Sequence, residues 1–151
     1  MSDLREMYQE TILDHGKHPR NFERMSDAHR TAEGHNPLCG DRITIFVKVE
    51  DDRIARVTFQ GNGCAISVAS ASLMAEALTG RKLEEAERLF GAFHELVTGS
   101  QAREEAEPLG KLVALGGVRE FPIRVKCATL AWHTLRAALA GENAGPAVKT
   151  E

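Results

Sequence analysis

The amino-acid sequence predicts an α+β fold, a small antiparallel β-sheet of about three strands with several helices packed on one face. Three observations carry that prediction. A helix-period stretch opens the chain, two strand-period stretches lie between residues 42 and 60, and the patterned stretches after residue 64 are helical. Strands that come together before a run of helices form a sheet layer and a helix layer, unlike the alternation of a parallel sheet. The 151 residues suit one domain, expected over residues 1–140, with residues 141–151 as a flexible tail. Hydrophobic residues make up 42% and aromatics 5%, so the core must be mainly aliphatic.

The first helix is expected from about Asp3 to Asp14. Asp3 and Glu6 form an Asp-x-x-Glu start signal, Leu4, Met7, Tyr8 and Ile12 share a face, and Gly16 is a stop. HGKHPRNF then reads as an exposed loop, because Pro19 biases His18 away from helix. RITIFVKVE, residues 42–50, puts Ile43, Ile45, Val47 and Val49 on one face of a strand. RIARVTFQ, residues 53–60, supplies Ala55, Val57 and Phe59. A three-residue loop, Asp51 to Arg53, pairs Val49 with Ala55, Val47 with Val57 and Ile45 with Phe59, which keeps one apolar face. A two-stranded hairpin is marginal alone, and the segment before Cys39 is the candidate short edge strand.

After GNGC the pattern turns helical. Ala65 to Leu78 is rich in small residues suited to close packing, and Gly80 ends it. A third helix is expected over about Leu83 to Val97, with Leu83, Ala86, Phe90, Phe93 and Val97 facing in and Gly99 beyond. SQAREEAEPLG reads as an exposed polar excursion, followed by a short helix near Lys111 to Leu115. The last helix starts at Pro122 or Ile123 and reaches Ala140, with proline suited to the first turn.

The net charge of -3 and pI of about 6.1 argue against a nucleic-acid or anionic-membrane surface. No apolar run approaches the roughly 18 residues that cross a bilayer. The opening MSDLREMYQE lacks the apolar core of a signal peptide, so the expected location is the cytoplasm. Three cysteines are an odd number in a reducing compartment, which disfavours a disulfide framework.

Each cysteine falls at an element boundary. Cys39 precedes the first clear strand, Cys64 opens a helix after Gly61-Asn62-Gly63, and Cys127 lies in the opening turns of the last helix. The partial positive charge of a helix N-terminus favours thiolate, so Cys64 and Cys127 are expected in an activating setting. Three thiolates and the Asp41 carboxylate make four donors, the number a tetrahedral metal takes. Arg124 and Lys126 could balance the surplus negative charge. Plain packing also fits: there is no Cys-x-x-Cys pair, Cys127 shares a face with Leu130, Ala131 and Leu135, and Asp41 could cap its own turn. His35 is an alternative ligand, while His15 and His18 are expected in solvent. If the site is real, an oxygen donor among sulfurs suggests a metal or metal–sulfur assembly meant to exchange.

NPLCGD, GNGCAISVAS and RVKCATLAW occur in that order, after MYQETILDHGKHPRNF near the start. Together the four stretches closely resemble the U-type iron–sulfur cluster assembly proteins, the IscU and NifU N-terminal family, over about residues 4–140. The resemblance implies the SufE/NifU (IscU-like) fold. It implies that Cys39, Asp41, Cys64 and Cys127 surround a metal or nascent cluster, with Gly40, Gly63, Arg124 and Lys126 close by. It further implies that Tyr8, His15, Arg20 and Asn21 lie where a partner docks.

Lys126 stands where the scaffold branch carries a histidine, and EFPIRVKC lacks the paired prolines of that branch's chaperone-recognised segment. The stretch between Cys64 and Cys127 is also longer, with SQAREEAEPLG as the extra material. These features are similar to the SufU branch. That branch implies zinc, a SufS-type cysteine desulfurase as partner, and Cys39 as the persulfide acceptor, so at most a sulfurtransferase acting with the desulfurase. The scaffold branch implies iron or a [2Fe–2S] cluster, built here and passed to downstream assembly proteins or apo-protein acceptors. A non-catalytic zinc-stabilised interaction module is the third reading.

Overall fold

A computed structural model describes residues 2–98, 103–140 and 148–149, with side chains over 10–98, 110–118 and 121–140. The chain runs α1 (Ser2–Lys17), β1 (Arg30–Asn36), β2 (Asp41–Glu50) and β3 (Arg53–Asn62), then α2 (Ala65–Leu78) and α3 (Leu83–Thr98). A segment of 3-10 turns (Arg103–Glu120), α4 (Pro122–Leu139) and β4 (Val148–Lys149) complete it. The sheet order is β3-β2-β1-β4, and β1, β2 and β3 are antiparallel. The expected α+β architecture is therefore present, with the segment before Cys39 supplying the third strand.

The strand alternation does what the sequence predicts. Ile43, Ile45, Val47, Val57 and Phe59 face one side, where they join Ala71, Met74 and Leu78 of α2 and Leu130, Ala131 and Leu135 of α4 in one core. Each fully buried aliphatic or aromatic side chain contributes about 1.5–3 kcal/mol. Each exposed ion pair contributes about 0–1 kcal/mol, so the core carries the fold. Small residues let the layers close up: a Cβ on Gly34 of β1 would sit 2.0 Å from Thr134 Oγ1 of α4. Buried hydroxyls are spent between helices. Ser70 donates to the Ala128 carbonyl at 2.6 Å and accepts the Trp132 Nε1–H at 3.2 Å. Farther along the loop after α1, Glu23 and Asp27 pair with Arg56 and Lys48, which alternate with the core-facing Val57 and Val47, while Met25 is buried.

Several expectations need correction. The hairpin turn is two residues, Asp51 and Asp52, both at positive φ (52° and 60°), followed by the pair Glu50–Arg53. Val49 pairs with Ile54 instead of Ala55, and an irregularity between Lys48 and Val49 restores the pairs Val47–Val57 and Ile45–Phe59. The bulge absorbs the odd residue, Ala55, and lets the larger Ile54 enter the core. Gly16 does not stop α1, which runs to Lys17; a Cβ there would meet Ala65 at 3.4 Å, so this glycine lets two helices touch. Residues 103–110, within the expected polar excursion, form helical turns that a kink at Gly110 (φ 55°, ψ -125°) separates from those of the following residues to 120. Leu89, omitted from the expected inner face of α3, is buried in it.

Val148 and Lys149, inside the expected flexible tail, pair in parallel with Gly34 and His35 of β1. Residues 141–147 and 150–151 lie outside the described residues, as do Gly99 and the side chain of Tyr8. No helix among the described residues is long and apolar enough to cross a membrane.

Candidate metal centre

Asn36 ends β1, Asp41 begins β2, and the two pair across the ladder. Residues 37–40 form the turn between them. The Asn36 carbonyl accepts the N–H groups of Cys39 (3.3 Å) and Gly40 (2.9 Å), and Gly40 takes φ 73°, a conformation glycine adopts freely. The turn holds Cys39 exposed at its tip and Asp41 fully buried behind it. Cys64 is the N-cap of α2, in extended conformation, and its backbone N–H donates to Asp41 Oδ1 at 2.8 Å. Asp41 thus reaches across from the sheet and caps a helix start. Gly63 makes room for this contact, since a Cβ there would lie 2.8 Å from Asp41 Oδ1.

Cys127 enters from the second turn of α4 and is buried. Its sulfur lies 3.3 Å from the Cys39 sulfur. The ligand atoms of Cys39, Asp41 and Cys127 all lie within 4.8 Å of one another. A tetrahedral zinc with bonds of about 2.1–2.3 Å sets its ligands roughly 3.4–3.8 Å apart. The donor set therefore fits a dication in both chemistry and spacing. Cys64 is half-buried and contributes its N–H to the group; its sulfur stands outside that 4.8 Å set, though near enough to Cys127 to disfavour a second negative charge there.

The expectation that the start of α4 activates Cys127 does not hold. Burial pushes its thiol well above the ordinary range, and the neighbouring Cys39, Asp41 and Cys64 push the same way. Desolvation outweighs the partial charge of the helix end because Cys127 is beyond the first turn and out of water. Arg124 is exposed and Lys126 half-buried. Neutral groups, the Cys64 N–H and Asn36 Nδ2, donate hydrogen bonds to the Asp41 carboxylate. His35 lies on β1, half-buried, outside the donor group.

The N-terminal residues separate. His15 is not in solvent: it is 1% exposed, its Nδ1 is hydrogen-bonded to Ser72 Oγ at 2.7 Å, and it cannot present itself to a docking partner. An apolar helix interface needs a neutral imidazole there, and burial lowers its pKa. Arg20 pairs with Asp14 at 2.7 Å and gives its N–H to Ser72 Oγ, while Asn21 sits at φ 61° and accepts the Phe59 N–H through its carbonyl. These residues tie the loop to α2 and β3.

Sequence reasoning missed Asn36. It is fully buried, with Nδ2 3.4 Å from Asp41 Oδ2 and 3.5 Å from Cys127 Sγ. The available signal was an asparagine immediately before proline, a turn-opening pair whose side chain bonds the backbone two residues on, as it does to the Leu38 N–H.

Residues 7–141 match the NifU-like N-terminal domain family. The chain is 38% identical to the zinc-dependent sulfurtransferase SufU of Bacillus subtilis, over 95% of this chain and 97% of that one. It is 40% identical to the iron–sulfur cluster assembly scaffold protein IscU of Streptococcus pyogenes, over 92% and 86%. The solved structure of an iron–sulfur cluster assembly scaffold protein for the SUF system from Fervidobacterium islandicum superposes with a TM-score of 0.82 at 34% identity, covering 89% of this chain and 98% of that one.

Proposed function

Because this chain belongs to the NifU-like N-terminal domain family, we propose that it is an iron–sulfur cluster assembly protein, acting in the cytoplasm as a metal-dependent sulfur acceptor. Residues 1–140 form the functional unit. Cys39, Asp41 and Cys127 would hold zinc, with Cys64 as the fourth donor. Zinc supplies a redox-inert centre of tolerant geometry that keeps thiols deprotonated.

The observation that carries the reading is the exposure of Cys39 beside two buried donors. Sulfur transfer between proteins needs a thiolate that a partner can touch, and Cys127 is out of reach. The Cys39 thiolate attacks the outer sulfur of a persulfide on a SufS-type cysteine desulfurase. A new S–S bond forms on Cys39, the S–S bond of the desulfurase breaks, and its electron pair leaves on the desulfurase cysteine as thiolate. Leu38, 59% exposed next to Cys39, offers an apolar contact at the same tip. Lys126 in place of a histidine, together with the missing paired prolines, favours this reading over a scaffold.

Metal content and desulfurase activation decide it. Freshly purified protein is expected to carry zinc, stimulate a SufS-type desulfurase, and show persulfide on Cys39 by mass spectrometry. No persulfide and no stimulation would sink it. The second reading, a [2Fe–2S] scaffold, draws on the relatives named as scaffolds. It requires that anaerobic reconstitution give a cluster transferable to an apo-ferredoxin; a chain that keeps zinc and passes on no cluster argues against it.

A further inference from the structure

Asn36 directs its side-chain amide and its carbonyl to the centre and its turn. Its Nδ2 faces Asp41 Oδ2 and Cys127 Sγ, at 3.4 and 3.5 Å. Its Oδ1 accepts the Leu38 N–H at 3.3 Å, and its carbonyl accepts from Cys39 and Gly40. One fully buried residue thus touches both buried donors and sets the turn that carries the exposed one. The sheet holds it there through the Asn36–Asp41 pair of the β1–β2 ladder.

The residue type matters. A carboxamide is neutral, donates at one end and accepts at the other. An aspartate at this position would turn acceptor oxygens toward Asp41 and Cys127, leaving buried acceptors without the amide donor. A serine would keep an acceptor for the turn but lacks the reach to both donors. An alanine would lose both functions.

Resting on the zinc-centre reading above, we propose that Asn36 is a positioning residue that divides the centre into a fixed half, Asp41 and Cys127, and a releasable half, Cys39. Asp41 is held twice, by the Asn36 amide and by the Cys64 N–H, and Cys127 is held by the amide and by burial. Cys39 is held by its turn and by its contact with the Cys127 sulfur. When Cys39 leaves to meet a persulfide, Asp41 and Cys127 stay where they are and would keep hold of a bound metal.

The test is chelator competition for zinc and for cobalt(II) on the full chain, with the cobalt–thiolate absorption read in parallel. Asn36→Ala is expected to weaken both metals about 10–100-fold and to reduce the cobalt–thiolate band, as loss of an outer partner of metal ligands does. Asn36→Asp should be at least as weak. Asn36→Ser, which keeps the turn acceptor, should lose metal like Asn36→Ala while its Cys39 is alkylated at the parent rate. With metal saturating, kcat for sulfur acceptance should fall in Asn36→Ala and the KM for desulfurase should stay. Folded variants within about threefold of the parent affinity would overturn the proposal, as would a parent chain that binds neither metal. If no variant folds, alkylation of the metal-free parent decides: Cys39 must react at least about tenfold faster than Cys127, and equal rates refute it. A parent that holds metal in an Asn36-dependent way yet forms no persulfide would overturn the sulfur-acceptor reading alone.

Discussion

The Cys64 backbone N–H donates to Asp41 Oδ1 over 2.8 Å, so the first residue of a strand caps the start of a helix 23 positions later. This bond ties two pieces of the centre together without metal. It also explains why the residue before Cys64 is glycine, because an added Cβ would lie 2.8 Å from the same oxygen and 3.2 Å from Ser67 Cβ and Oγ.

Gly63→Ala should therefore push the Asp41 carboxylate off the Cys64 N–H. The expected cost is about 1–3 kcal/mol of stability, together with weaker zinc retention. Urea unfolding and chelator competition measure the two effects. A variant with parent stability and parent affinity would show that the carboxylate can move freely.

Gly34→Ala tests the approach of β1 to α4. The added Cβ would meet Thr134 Oγ1 at 2.0 Å and Leu130 Cδ1 at 3.0 Å, inside a core with no space to yield. A loss of about 1–3 kcal/mol or more is expected. The double change Gly34→Ala with Thr134→Ala should recover part of it, since the nearest clash is with that hydroxyl. No recovery in a thermal melt would place the strain elsewhere.

Ser70→Ala removes the acceptor of the Trp132 indole N–H and the donor to the Ala128 carbonyl. Leaving those buried groups unpaired should cost about 1–3 kcal/mol. The chain has one tryptophan, stacked on Phe93 at 4.6 Å, so its fluorescence reports the unfolding midpoint directly. An unchanged midpoint would mean the two groups find other partners.

Acid should destabilise the fold through His15. Burial, then the Arg20 charge, hold its pKa below the ordinary value of 6.5. Above that pH the imidazole is neutral in both states. As pH falls, the unfolded chain takes up the proton first, so the free energy of unfolding declines until the folded His15 protonates. His133 shifts the same way, by burial and by the charges of His94 and Arg136. His15→Gln should thus lose less stability than the parent between about pH 7.5 and about pH 5.5. Equal losses in urea midpoint would remove His15 from the account.

The sequence by itself determined the layers and most helix bounds. Period-2 and period-3.6 patterns mark which face is buried, and burial of that face fixes strands and helices alike. Four ordered motifs single out Cys39, Asp41, Cys64 and Cys127 as candidate donors, and the structure brings the ligand atoms of Cys39, Asp41 and Cys127 within 4.8 Å of one another. Tertiary structure decided what local pattern does not encode. The two-residue turn at Asp51-Asp52 wins because a bulge corrects the face, and Gly16 continues a helix because Ala65 packs against it. His15 is buried because Ser72 lies 2.7 Å from it across α1 and α2. Cys127 resists ionisation because its surroundings exclude water, a property of packing that helix position alone does not report. Asn36 reads as a turn residue in sequence, and only the closing of α4 onto the end of β1 aims its amide at a carboxylate and a thiol at once.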